Sequence, residues 1–224
     1  MIELKDQLPF GQGSHRAAYR HPDKENRCLK VMIENWRECN RWQKASWLSK
    51  TFRSNRYFQE NQREWCFSAA QTKRTNDERG ECFARSHGFV MTDLGEALEV
   101  ELIVDHDGKI SLSLKEYLLK FGMTAECEKA IKLFWEQVER DGVFLQGRPD
   151  NISLQRFADG SCKIVGIDGF GLPQFLPLAK WFAFARQRFR KKRQKKQDRA
   201  IKEILEFNKS GQDLNRKGMI RNES

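Results

Sequence analysis

VFLQGRPDNISLQ (Val143–Gln155) and KIVGIDGFG (Lys163–Gly171) are the two stretches that decide how this chain is interpreted. Asn151 and Asp168 offer hard oxygen atoms, the ligand type that Mg²⁺ requires. Gln146, five residues before Asn151, carries an amide where proton-transfer chemistry would need an acid or a base. An amide holds a hydroxyl by hydrogen bonding but does not accept its proton at neutral pH. The two stretches therefore raise the question of whether this chain is an enzyme or has only the fold of one.

The composition predicts a globular protein that stays in the cytoplasm. The chain has 224 residues, of which 39% are hydrophobic, and sixteen are Phe, enough for one domain or for two small lobes that share a cleft. No apolar run approaches the roughly 20 residues that cross a bilayer, and the start, MIELKDQLPFG, has no apolar signal segment. The six Cys form no CxxC pair, which predicts reduced thiols rather than a zinc site.

The net charge of +10 is concentrated near the C-terminus. From Arg186 onward there are 14 Lys and Arg against 5 Asp and Glu, whereas the first 185 residues hold 27 against 26. The body of the protein is therefore nearly neutral, and any attraction for an acidic partner is expected to come from the last segment.

The first half of the chain has a strand-rich pattern. Gly11 and Gly13 predict a tight turn before a short extended run that Pro22 ends, and CLKVMI predicts a buried strand that contains Lys30. The pattern then becomes helical from Glu34 to about Lys73, where aromatic residues alternate with Arg and Lys. Stacking on nucleic acid is one interpretation of this aromatic stretch, and packing on a sheet is the interpretation that we favour. GFVMTDL and LEVELIVD then predict further extended segments.

The second half has a predominantly helical pattern. One helix is predicted from Ser111 to Phe121, with Ser113 and Glu116 spaced as a capping box, and a second from Ala125 to Arg140, ended by Asp141-Gly142. Two short strands are predicted to flank the loop at Pro149–Asn151 and the Asp168 turn. The segment that begins FLPLAKWFAFARQ predicts a long basic helix. Strands followed by helices indicate an α+β fold.

Five features occur in an order that suits a nucleotide ligand. A Gly-x-Gly turn lets backbone N–H groups approach phosphates, and a strand Lys, Lys30, can reach them. A Glu on the following helix can fix that Lys, and Glu64 is the preferred partner, with Glu60 one turn earlier as the alternative. Asn151 in Pro-x-Asn-Ile and Asp168 before a Gly-rich stretch complete the set.

The ordered set resembles the protein-kinase-like fold and, more closely, the bacterial family of PhoP regulatory network protein YrbL. The resemblance is carried by GQGSHRAAYRHP, RCLKV, NQRE, VDHDGKISLSLKEYL, GRPDNISL, GIDGFG and FLPLAKW, over roughly residues 5–185. It implies a two-lobed protein-kinase-like fold with a strand-rich N-lobe, a helical C-lobe and a nucleotide at the hinge. The family has a suggested link to envelope-stress regulation.

The resemblance also implies a role for individual residues, with ATP and Mg²⁺ as cofactors. Its assignments are the phosphate loop at Gly11 and Gly13, the phosphate-contacting Lys30 with its partner Glu64, the metal ligands Asn151 and Asp168, the transferred-phosphate contact Arg148, and a hinge from Glu99 to Asp107. The implied domains are an N-lobe at 1–98, a hinge and C-lobe at 99–185, and a basic tail at 186–224.

Four positions depart from the kinase pattern. Gln146 replaces the Asp that orients the acceptor hydroxyl, Phe144-Leu145 replaces His-Arg, Gly169 rather than Phe follows Asp168, and His15-Arg16 stands where a third Gly often occurs. General-base catalysis is worth about 10²- to 10⁴-fold, whereas phosphoryl transfer depends mainly on positioning and charge neutralisation. The leading hypothesis is therefore a phosphotransferase acting on a hydroxyl, with an envelope or lipid-linked acceptor suggested by analogy with lipopolysaccharide kinases. The alternative is a pseudokinase that acts as a regulatory binding module.

The basic tail has three interpretations. Nine Lys and Arg fall between Arg186 and Arg199, directly after the apolar WFAFA. This pattern suits the anionic inner face of a membrane, a nucleic acid, which we favour less, or a helix that is simply solvated.

Overall fold

The computed structural model describes residues 1–13, 15–33, 43–44, 47, 59–75, 82–170 and 183–209. Contacts among these residues divide the chain into two units. Unit 1 lies within Met1–Arg74 and Arg85–Leu102, and unit 2 lies within Thr75–Ala84 and Ile103–Gly218. Most of the helical stretch predicted from Glu34, the FLPLAKW segment and the last residues of the tail lie outside the described residues.

Unit 1 is a five-stranded antiparallel sheet with one described helix of several turns. The strands are β1 (Gly11–Gln12), β2 (Arg16–Arg20), β3 (Arg27–Met32), β4 (Ser86–Thr92) and β5 (Gly95–Glu101), and their order is β1-β2-β3-β5-β4. The helix, α1, spans Glu60–Thr75. The strand prediction for this half of the chain is confirmed, and the final part of the predicted helical stretch is α1.

The two faces of this sheet are covered differently because side chains alternate along each strand. Val31, Ala97 and Val90 are paired across three strands and share one face, where Leu4 from the N-terminal segment completes an apolar cluster. Asp93 fixes that segment by accepting the backbone N–H of Leu4 at 2.7 Å. The opposite face carries Lys30 and is covered by α1.

Among its described residues, unit 2 contains three helices and a hairpin. The helices are α2 (Leu114–Phe121), α3 (Ala125–Arg140) and α4 (Ala183–Lys209), and the hairpin consists of β6 (Ile152–Arg156) and β7 (Cys162–Gly166). The α+β fold class is confirmed, with a strand-rich unit and a helical unit as the resemblance implied. The two predicted short strands are β6, which directly follows the Asn151 loop, and β7, which directly precedes the Asp168 turn.

The helix ends in unit 2 follow the predicted capping chemistry. Ser113 is the N-cap of α2, its hydroxyl accepts the N–H of Glu116, and the Glu116 side chain accepts the N–H of Ser113 in return. Helix α2 therefore begins at Leu114 rather than at Ser111. Helix α3 spans Ala125–Arg140 as predicted, and Gly142 follows it with a φ of 57°, a conformation that favours glycine.

No helix among the described residues combines the length and the apolar composition that a bilayer crossing requires.

Candidate functional site

Lys30 and Glu64 form a buried ion pair in unit 1. Lys30 lies on β3 and its Nζ is 2.6 Å from Oε1 of Glu64 on α1. The Lys30 side chain is 11% exposed and the Glu64 side chain is 3% exposed, so little water screens the pair. The structure therefore pairs Lys30 with Glu64, the partner preferred from the sequence, and not with Glu60 one turn earlier.

Arg16 joins this pair as a second cation. Its Nη1 lies 2.6 Å from Oε2 of Glu64 and 3.2 Å from Oδ1 of Asn61, and its Nε lies 3.4 Å from Oε2 of Glu60. Arg16 is only 8% exposed, although it begins the short strand β2. In the sequence, Arg16 stands out only as a departure from a Gly pattern, because nothing local indicates a partner 48 positions away.

Helix α1 places these partners by its turn spacing. Glu60, Asn61 and Glu64 lie on neighbouring positions of one helix face, and the Asn61 amide donates to the carbonyl oxygen of Lys30 at 2.8 Å. Further along, the Trp65 ring packs edge-on against Phe89 on β4, with centroids 6.2 Å apart. The helix is thus attached to the sheet at both polar and aromatic points, and the Glu64 carboxylate is held above β3.

The predicted glycine turn is a tight hairpin between β1 and β2. Gly11 lies in β1 opposite Ala18, and the Gly13 N–H donates to the Arg16 carbonyl at 2.8 Å. Among the described residues, a Cβ placed on Gly13 would meet only that carbonyl oxygen, at 3.7 Å, which is an ordinary contact. The described part of unit 1 therefore does not itself require a glycine at residue 13.

In unit 2, the Asn151 loop and the Asp168 turn are bonded to each other. The carbonyl oxygen of Asn151 accepts the N–H of Ile167 at 2.9 Å and the N–H of Asp168 at 3.1 Å. Asp168 Oδ1 accepts the N–H of Gly169 at 2.5 Å. Two of the predicted ligand residues are thus brought together by backbone geometry, at the ends of the β6–β7 hairpin.

Gly169 is required by this arrangement. Its φ is 75°, and a Cβ there would lie 2.4 Å from Nδ2 of Asn151 and 3.3 Å from Cβ of Gln146. A larger residue directly after Asp168 would displace the Asn151 side chain. The Asp-Gly sequence that departs from the kinase pattern therefore has a local steric reason.

Gln146 is fixed beside the same turn. Its N–H donates to the carbonyl oxygen of Gly169 at 3.0 Å, and the preceding Leu145 forms an antiparallel bridge with Phe170. Arg148 lies further out, 59% exposed, and its guanidinium binds Asp150 through two contacts of 2.9 and 2.6 Å. The structure thus brings Gln146, Asn151 and Asp168 together, while Arg148 is ion-paired with Asp150.

Gln197 of α4 braces the loop that carries Gln146. Its Nε2 donates to the carbonyl oxygen of Gly147 at 2.7 Å, and its Oε1 accepts the indole N–H of Trp135 at 2.6 Å. Gln197 is 2% exposed. Gly147 has a φ of 62°, and a Cβ there would lie 2.8 Å from the Trp135 ring. Gln197 was not among the predicted site residues, because it stands in a run of basic residues that predicts only a charged surface.

The segment from Glu99 to Asp107, predicted as the hinge and its exit, contains two buried carboxylates with different partners. Burial raises the pKa of the Glu99 carboxyl, but the ion pair with Lys24 outweighs it and the pKa lies below its usual range. Asp105 accepts the Ser111 hydroxyl at 2.6 Å and the backbone and side chain of Arg156 at 2.9 and 2.7 Å. The VDHDGKIS motif therefore includes a residue that connects this turn to β6.

The oxygen donors of unit 2 fit Mg²⁺ in kind. Asn151 and Asp168 provide an amide oxygen and a carboxylate, and Mg²⁺ commonly takes only one or two protein carboxylates with water and substrate phosphates. Within the described ranges, no group of three His, Cys, Asp or Glu side chains is placed to hold a metal ion by itself.

Comparison with known proteins adds the following findings. The family model described as PhoP regulatory network protein YrbL matches residues 2–204. This range extends beyond the roughly 5–185 over which the sequence motifs show the resemblance, and it includes most of α4. The YrbL proteins of Escherichia coli (strain K12) and Shigella flexneri are each 28% identical over 185 residues, which cover 81% of this chain and 79% of theirs.

Two solved structures of WbdD also match. A crystal structure of WbdD gives a TM-score of 0.41 at 12% identity, covering 80% of this chain and 36% of that one. A co-crystal structure of WbdD and the kinase inhibitor LY294002 gives a TM-score of 0.38 at 12% identity, and the match covers 82% of this chain and 44% of that one. The chain thus spans less than half the length of these structures.

Proposed function

We propose a nucleotide-dependent function for this chain, which belongs to the PhoP regulatory network protein YrbL family and is a kinase-like protein. The proposed ligand is ATP with Mg²⁺. The observation that carries the proposal is the buried ion pair of Lys30 and Glu64, because a strand Lys fixed by a helix Glu is the arrangement that protein kinases use to hold phosphates.

Each residue has a defined part in this proposal. Lys30 would contact phosphate oxygens, and Glu64 would hold its ammonium group in place. Asn151 and Asp168 would ligate Mg²⁺, which when bound neutralises phosphate charge. Gly13 leaves room for a phosphate to approach the backbone N–H groups of the β1–β2 hairpin. Arg148 would have to exchange Asp150 for a phosphate in order to take the role that the resemblance implies.

Transfer of phosphate to a hydroxyl is the reaction that this set supports. The Gln146 amide can accept a hydrogen bond from the attacking hydroxyl and orient it, but it does not take the proton. The proposed reaction is therefore slow, by up to about 10²- to 10⁴-fold relative to a site with a base. The acceptor is unidentified, and an envelope-associated hydroxyl compound is our first choice to test.

A pseudokinase is the second candidate function, and one specific observation favours it. Gln146 stands beside the Asp168–Gly169 turn, held there by the bond from its N–H to Gly169. In this alternative, the chain keeps the backbone at the position where the resemblance implies a base, and the side chain there is an amide. In this alternative, the bound nucleotide stabilises a regulatory binding module without being consumed.

Nucleotide binding is tested by thermal unfolding of the protein with ATP, with and without Mg²⁺. A ligand at about 100 times its dissociation constant adds about 2.7 kcal/mol to the free energy of unfolding. We expect a Mg²⁺-dependent rise in Tm that is lost in Lys30→Met and in Asp168→Asn. Lys73→Met, which removes an exposed Lys from α1, is the matched control and should keep the rise.

Gly13→Ala gives a sharper test because the fold tolerates a Cβ at that position. This variant should unfold at the same temperature as the natural protein without ligand, yet show a smaller ATP-dependent rise. No rise at millimolar ATP in the natural protein would refute the nucleotide proposal.

The enzyme and the pseudokinase are distinguished by Gln146→Asp. If the remaining site is competent, ATP turnover should increase by about 10²-fold or more. Unchanged turnover in a variant that still shows the Mg²⁺-dependent rise in Tm would favour the pseudokinase.

A further inference from the structure

Helix α4 has two opposite faces with different surroundings. Phe189, Gln197 and Ile201, spaced at four- and eight-residue intervals, are all buried against unit 2. Phe189 packs edge-on against Phe144 with centroids 5.8 Å apart, and Gln197 binds Gly147 and Trp135. The orientation of α4 about its own axis is therefore fixed by its inner face.

The outer face is a continuous stripe of exposed cations. Residues three and four positions apart are neighbours on a helix surface, and the stripe consists of Arg188, Lys191, Lys192, Lys195, Arg199 and Lys202, all exposed. Arg188, Lys191, Lys192 and Lys195 also surround one shallow concavity. None of the six forms an ion pair with any residue in the part of the chain that the structure describes. The exposed acids of α4 near the stripe are Asp198, Glu203 and Glu206. Glu128, Glu136 and Glu139 of α3 line a groove together with Lys191 and Lys202, so these two cations lie at the edge of the stripe.

An exposed aromatic residue begins the same stripe. Phe184 lies four positions before Arg188 and is 72% exposed. From Phe184 to Lys202 the stripe is about 27 Å long at 1.5 Å per residue. An apolar ring in line with a row of positive charges is the composition of a surface that contacts lipid head groups and the edge of the acyl region.

We infer that the outer face of α4 docks on an anionic phospholipid bilayer. Because the apolar inner side of α4 is buried in unit 2, attachment rests on charge, with Phe184 as the apolar contact, and not on insertion of an amphipathic helix. Four of the six cations are Lys, whose compact hydrated charge suits a diffuse anionic plane, whereas recognition of nucleic-acid bases favours the planar Arg fork. This inference does not depend on nucleotide binding.

The test is sedimentation of the full-length protein with two kinds of vesicle. One kind is phosphatidylcholine alone, and the other contains phosphatidylglycerol as the anionic lipid. We expect binding to the anionic vesicles only, with an affinity that falls as salt is added, because surface potentials are screened within a Debye length. Equal binding to both kinds would overturn the inference.

A matched pair of variants distinguishes the effect of the cations on the outer face from the effect of the total net charge. The stripe variant carries Lys191→Gln, Lys192→Gln, Lys195→Gln and Lys202→Gln, and the control variant carries Lys5→Gln, Lys73→Gln, Lys109→Gln and Lys129→Gln, which are also exposed. Each cation near an anionic surface raises partitioning roughly fivefold, so the four substitutions of the stripe variant together should lower it roughly 600-fold. The control variant should retain most of its binding. Equal losses of vesicle binding in the two variants would contradict the inference that the outer face of α4 is the docking surface.

Two further measurements decide whether the outer face of α4 binds a lipid surface or another polyanion. Binding to duplex DNA and to single-stranded RNA is measured in the same buffer, and stripe-dependent binding tighter than that to anionic vesicles would overturn the lipid assignment. Phe184→Ser should weaken vesicle binding severalfold at unchanged charge. An unchanged affinity in this variant would argue against contact with the acyl region.

Discussion

Replacing Glu64 with Gln should destabilise unit 1 strongly. The Glu64 carboxylate is 3% exposed and is the shared partner of Lys30 and Arg16, each at 2.6 Å. Gln keeps the shape and removes the charge, so two nearly buried cations would face an amide. Removing one partner from a buried ion pair costs about 3–5 kcal/mol, because the remaining charge stays desolvated.

Replacing either cation with Met should lower the free energy of unfolding less than Glu64→Gln does. Lys30→Met leaves Glu64 with Arg16, and Arg16→Met leaves it with Lys30, so the buried carboxylate keeps a counter-ion in both. The long apolar stem is also retained by Met. Glu60→Gln is the matched control, since the Glu60 side chain is 22% exposed and lies 3.4 Å from Arg16, a position at which an ion pair is worth about 1 kcal/mol or less.

Amide hydrogen exchange followed by mass spectrometry measures these losses within one unit. A loss of 3–5 kcal/mol corresponds to exchange faster by roughly 10²- to 4 × 10³-fold in peptides that open with unit 1. Peptides from β3 and α1 report on the site, and peptides from α3 report on unit 2. Acceleration below about tenfold in Glu64→Gln, or equal acceleration in Lys30→Met, would refute the view that Glu64 is the shared counter-ion.

Three further predictions concern other parts of the molecule. Burial raises the pKa of the Cys82 thiol to about 12, so at neutral pH Cys82 should react with iodoacetamide far more slowly than the exposed Cys66, and equal rates in peptide mass spectra would contradict this. Burial and then the charge of Arg27 hold the pKa of His87 below its usual 6.5, so the unfolded state takes up the proton first and the stability from His87 is lost as the pH falls through 6.5. Urea midpoints at several pH values should therefore depend less on pH in His87→Gln. Gly147→Ala should lower the free energy of unfolding by about 1–3 kcal/mol because of its contact with the Trp135 ring, and a loss under about 0.5 kcal/mol in urea unfolding would contradict the geometry.

The parts of the fold that the sequence predicted well are those set by local chemistry. The capping box of Ser113 and Glu116 and the stop at Asp141-Gly142 involve partners within a few residues, so spacing alone identifies them. Strand positions around Lys30 were predicted by alternation for the same reason.

The side-chain partners across the fold could not be predicted in this way. Arg16 was noted only as a departure from the glycine pattern, yet it reaches the Glu64 carboxylate, because β2 and α1 are brought together by tertiary packing. Gln197 looked like one polar residue among many charges, yet it is buried. Glu64 itself was found because an ordered set of features resembled a known family, and the roles of the site residues with nucleotide and metal stay predictions.

The contact between Gln197 and the Gly147 carbonyl has a consequence for experiments that shorten the chain. The basic segment looks like an appendage that can be removed to learn what it binds. Cutting the chain before α4 would also remove two buried hydrogen bonds and release the loop on which Gln146 lies. A shortened protein would thus lose surface attachment and loop geometry together, and any defect in it would have two causes. Substitutions on the exposed lysines, which leave Gln197 in place, change only the first.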